Sequence, residues 1–68
     1  MERTIDVVIY REGEQWVAQA LNVEVSTFGG SPEEARSAIR EALELYFEEE
    51  PEIEVPEAAD ARLERVRV

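Results

Sequence analysis

Sixty-eight residues, 44% hydrophobic and 35% charged, make one folded domain over 1–68 and exclude a disordered chain. The chain has no cysteine and no histidine, which excludes disulfides and removes the commonest nucleophile, general base and metal ligands. Seventeen acids against seven cations give a net charge of -10, which phosphate backbones would repel, so no direct nucleic-acid binding is expected.

A chain this short buries only about 60% of the surface its unfolded form exposes, so homo-oligomerisation is the expected extra stabiliser. No apolar run approaches the roughly 20 residues of a membrane span. The N-terminus is charged from Glu2 onward and does not read as a signal peptide. A cytoplasmic protein with no membrane partner is therefore expected. The acidity has two open readings: it steers a basic protein partner to the surface, or it keeps a small protein soluble.

The first strand is expected over about 3–10. Ile5, Val7 and Ile9 alternate there with Thr4, Asp6, Val8 and Tyr10. Arg11–Glu14 is polar and holds Gly13, and reads as a hairpin turn. The second strand, about 15–21, sets Trp16, Ala18 and Ala20 on one face and Val17 on the other. Asn22 tolerates a left-handed backbone and marks a tight reversal. The third strand, about 23–28, alternates Val23, Val25 and Thr27 with Glu24, Ser26 and Phe28. Gly29-Gly30 closes it. That pair lacks the further glycines and lysine of a phosphate loop, and reads as a turn with permissive dihedrals.

Ser31-Pro32-Glu33-Glu34 is a capping box. Ser31 accepts from a first-turn amide, Glu34 reaches back to the Ser31 amide, and Pro32 takes the first helical position. The helix is expected over about 32–49, with Ala35, Ala38, Ile39, Ala42, Leu43 and Tyr46 as its apolar stripe. Residues 51–60 hold Pro51 and Pro56 and read as a connection. A last strand is expected over about 62–68, with Leu63, Arg65 and Arg67 alternating against Glu64, Val66 and Val68. The expected class is α+β in the order β-β-β-α-β: an antiparallel meander, one packing helix, and a final strand parallel to and beside the first.

Among the carboxylates, Asp6 alone lies inside an apolar strand. A first-strand Asp can hold Mg²⁺ in a ribonuclease-H-like sheet, but that needs several converging carboxylates. No partners for Asp6 stand at credible positions, and the outward face of a half-exposed strand accounts for it. No catalytic, cofactor or metal residues are assigned, and no enzyme activity is expected.

Trp16–Ala18, then Phe28–Ala35, then Glu41–Tyr46 together resemble the HicB antitoxin family. That family has an aromatic-Val-Ala strand, a Gly–acidic–Thr helix entry, a Glu-Glu-Ala first turn and a late Glu-Ala-Leu segment. Val55-Pro56 also sits where the family has a proline. The resemblance implies a partial ribonuclease-H-like fold without catalytic residues. It also implies a partner, a small basic HicA-like toxin that cleaves messenger RNA and that the antitoxin masks. Two features depart from the pattern. Gly30-Ser31 replaces the acidic residue and Thr, and Ser preserves the cap. No ribbon-helix-helix or helix-turn-helix domain is expected, so operator binding is not implied.

Glu48, Glu49, Glu50, Glu52, Glu54 and Glu57 occupy a stretch without a cation. The first three oppose the negative end of the helix dipole, at roughly 0.3–1 kcal/mol each at low salt. They read either as a frayed, solvated helix end or as a docking patch for a basic partner. Phe47 lies off the apolar stripe and is a candidate partner or dimer contact. Val66 and Val68, on a strand at a sheet edge, are candidate dimer contacts. The leading expectation is a toxin-neutralising module. A homo-oligomeric domain of the same fold with no toxin is the alternative, and a metal-dependent nuclease is a third.

Overall fold

Three short runs of alternating residues and one capped amphipathic run are enough to build the body. The computed structural model describes residues 3–68; Met1 and Glu2, the start of the domain and of its charged N-terminus, lie outside them. β1 (Val7–Glu12), β2 (Gln15–Ala20) and β3 (Ser26–Gly29) form an antiparallel sheet in that order, and α1 (Pro32–Glu49) packs across one face. No helix of the described residues is long and apolar enough to cross a membrane.

Glu12 pairs with Gln15, leaving Gly13 and Glu14 as a two-residue turn. Gly13 has φ +66, the sign that a primed hairpin turn demands at its first central position. Gly29 serves a different need. A Cβ there would stand 2.8 Å from Glu34 Cβ and 2.9 Å from the Ala35 amide nitrogen, so only glycine lets β3 run this close to the first helical turn.

Side chains alternate as a pleated sheet requires. Ile5, Val7, Ile9, Trp16, Ala18, Ala20, Val23 and Val25 turn toward the helix, and Ala18, Ala20, Ala35 and Ile39 are buried. Alanines at the centre of β2 and in the first turns of α1 allow a close approach of helix to sheet. The Thr27 hydroxyl, donating to the Ala35 carbonyl at 3.1 Å, fixes it further.

At the helix start, Ser31 is extended (φ -149, ψ 163) and its Oγ accepts from the Glu34 amide at 3.1 Å. The return bond differs from expectation. Glu34 Oε2 accepts from the Gly30 amide at 3.1 Å instead of from Ser31. The carboxylate lies where a Cβ on Gly30 would come within 2.9 Å of it, so the bare glycine admits the longer reach.

Two expected strands start late, and a third does not form. Residues 3–6 run into β1 without a ladder. The third strand begins at Ser26, not near 23, because residues 21–24 bend around Asn22. Asn22 keeps an ordinary negative φ and acts through its side chain instead. It is buried, its Oδ1 accepts from the Asp6 amide at 2.8 Å, and its Nδ2 donates to the Pro56 carbonyl at 2.9 Å. Residues 62–68 form no strand and are exposed throughout: Leu63 is 93% exposed and Val66 81%. The tail does not lie on the free edge of β1, and an extended segment without a partner strand has nothing to bond to. The radius of gyration is 13.0 Å, against roughly 11 Å for a compact domain of this length. The projecting tail is consistent with that excess.

Candidate functional site

The acid cluster begins on the last turn of α1, where the chain has no basic side chain to offset it. Glu48, Glu49 and Glu50 are exposed, and so are Glu52, Glu54 and Glu57 in the connection. The Glu50 amide still bonds the Tyr46 carbonyl at 3.0 Å, so the helix holds its hydrogen bonds up to the cap. Among the described residues two ion pairs form, Arg40 with Glu44 and Arg62 with Glu64, and neither involves this cluster.

One cation does reach the helix end, from the other terminus. Arg3 donates to the carbonyls of Pro51 and Ile53, the latter at 3.1 Å, and its guanidinium lies 4.4 Å from the centroid of the Phe47 ring. This charge lies beside carbonyls just past the helix, where a positive group opposes the dipole's negative end. Phe47 is half-buried, and Tyr46 meets it edge-on at 5.1 Å. Its outer surface is thus partly covered by Arg3, and the two form a small platform beside the acids. Arg3 could have been suspected only as a cation on the segment leading into β1. Its separation of about fifty residues from its partners carries no local signal.

The remaining candidates do not join this platform. Val66 and Val68 stand free in the tail. Asp6 is exposed, and the fold uses its backbone amide rather than its carboxylate. Among the described residues no group of three or more carboxylates is placed to hold a metal ion.

Two other surfaces are visible. An open groove of about 930 Å³ lies between the free edge of β1 and α1. Ile5, Val7, Ile9, Ile39, Leu43 and Phe47 line it, and charges of both signs lie around them, Arg3, Arg36 and Arg40 with Asp6, Glu33 and Glu44. On the sheet face away from the helix, Tyr10, Val17 and Phe28 fall in register across all three strands, with Phe28 65% exposed.

No family model, curated protein or solved structure matches this chain. The likeness to HicB antitoxins therefore rests on the three short segments that carry it.

Proposed function

We propose that this chain is a non-enzymatic, cytoplasmic binding module of HicB-like fold that masks a small basic protein, in the manner of an antitoxin neutralising a messenger-RNA-cleaving HicA-like toxin. The observation that carries this reading is the acid cluster: six exposed glutamates from Glu48 to Glu57, none in an ion pair, of which Glu48, Glu49 and Glu50 directly follow Phe47 in the chain. Such a surface attracts a basic partner at long range and offers an aromatic anchor at short range. The three antiparallel strands and the helix are the first four elements of the β-β-β-α-β order. In this reading residues 62–68 supply the fifth when they find an edge to pair with.

The test uses the chain together with the small basic protein that co-purifies with it from its native host. Changing Glu48, Glu49 and Glu50 to Gln together should weaken the complex about tenfold at low salt. It should also flatten the fall of affinity with rising salt, because fewer charges remain to be screened. An affinity that keeps its full salt dependence in the triple variant would remove the cluster from the interface. The second reading, a homo-oligomeric domain without a toxin, is favoured by the projecting tail. It would prevail if no basic protein co-purifies and the chain associates only with itself.

A further inference from the structure

The groove beside β1 has the shape of a missing strand. β1 is hydrogen-bonded to β2 on one side only, so its outer edge presents unpaired backbone groups. Above that edge α1 overhangs an apolar floor formed by Ile5, Val7 and Ile9 with Ile39 and Leu43. The chain contains a segment of matching length. β1 has six residues, and the tail 62–68 has seven. In an extended tail, Glu64, Val66 and Val68 share one face, while Leu63, Arg65 and Arg67 share the other.

We infer that residues 62–68 of a second copy dock as a strand on the free edge of β1, and that the exchange is reciprocal. Val66 and Val68 then cover Ile9, Ile39 and Leu43, and the tail's arginines meet a groove whose charged lining includes Asp6, Glu33 and Glu44. Charge complementarity supports this occupant. The first 61 residues carry sixteen acids and four arginines, whereas the last seven carry one acid and three arginines. The tail is the cationic segment of an otherwise anionic chain, so a neighbour's body attracts it.

The path of the chain favours the neighbour over the tail's own groove. Arg3 ties Pro51 and Ile53 alongside the N-terminal segment, and Asn22 holds Pro56. Past that point Asp60 takes φ +54, a left-handed conformation that Asp tolerates, and the tail beyond it is exposed away from the body. Fixing the connection and freeing the tail leaves each copy with an open edge and a spare strand, the condition for exchange between identical chains. The inference is independent of any toxin partner.

The full wild-type chain provides the test. Sedimentation equilibrium at micromolar concentration should show a dimer. Isotope-filtered NMR on a mixture of labelled and unlabelled copies should show contacts between copies from the Val66 and Val68 methyls to Ile9, Ile39 or Leu43. Val66→Ser with Val68→Ser should weaken dimerisation by about a hundredfold or more, with the body's circular dichroism unchanged. A strict monomer overturns the inference, whether its tail amides exchange freely or are protected by docking on the tail's own β1. So does a dimer whose copies touch through Tyr10, Val17 and Phe28 while the valine methyls show no contact between copies. The NMR result decides even if the double variant fails to fold.

Discussion

Asn22 is the buried polar side chain among the described residues, and it ties two distant segments together. It sits in the β2–β3 bend, buried, with the oxygen and the nitrogen of its one side-chain amide facing different segments. Its oxygen holds the start of β1 at Asp6, and its nitrogen holds the connection at Pro56. The start of β1 and the connection 34 positions beyond Asn22 are thereby joined through one residue. Asn22→Ala removes both bonds. Asp6 and Pro56 are exposed and can regain water, so the cost should lie toward the lower part of about 1–3 kcal/mol. Asn22→Asp keeps the acceptor and loses the donor. Because it also sets a buried carboxylate oxygen against the Pro56 carbonyl, it should cost at least as much stability in urea denaturation as Asn22→Ala, and both should speed hydrogen exchange at the amides of 53–58. Equal exchange in all three proteins would mean that Asn22 does not organise the connection. Sequence pattern places a turn at Asn22 but not this role, because the side chain's partners are distant in the chain.

At the scale of elements, legibility follows from how local each cause is. The helix bounds 32–49 were readable because the cap, the proline and the apolar stripe all lie within the element. Strand faces were readable for the same reason: Ile5, Val7 and Ile9 point inward and Val8 and Tyr10 outward, as alternation requires. Strand ends were less so, since β3 is shortened by the bend at Asn22. The last segment alternates as well as β1 does, yet alternation only makes a segment fit to be a strand; it must also meet an edge, and the exposed tail does not lie on the free edge of β1. Of the candidate site, the glutamates were legible as a cluster, whereas the Arg3–Phe47 contact was not. The cap can be tested by itself. Ser31→Ala leaves the Glu34 amide without its partner and should cost roughly 1 kcal/mol. In a domain of this size that lowers the melting midpoint by about 4–8 °C. Ser31→Thr should recover most of the loss. An alanine variant that melts with wild type would show that the Gly30–Glu34 bond alone secures the helix start.

The whole molecule is thinly built. Among the described residues Ile39 is the one large side chain that is fully enclosed, and the other buried core members are alanines. Around this core lies a net charge of -10, whose self-repulsion works against compaction. A groove lined by partly buried Ile5, Val7, Ile9 and Leu43 remains uncovered on one side. Covering it would add apolar burial where the body is weakest, and a second copy's tail would also bring positive charge to an anionic surface. Stability that depends on such pairing must depend on concentration. By mass action, each tenfold rise in chain concentration favours a dimer by about 1.4 kcal/mol. For a domain of this size that moves the melting midpoint upward by a few degrees. The expected series, followed by circular dichroism over about a hundredfold range of concentration, is a steady rise for wild type and a flat, lower midpoint for Val66→Ser with Val68→Ser. If wild type were flat as well, the small core would be supporting the fold unaided, and the open edge of β1 would need no strand from another copy.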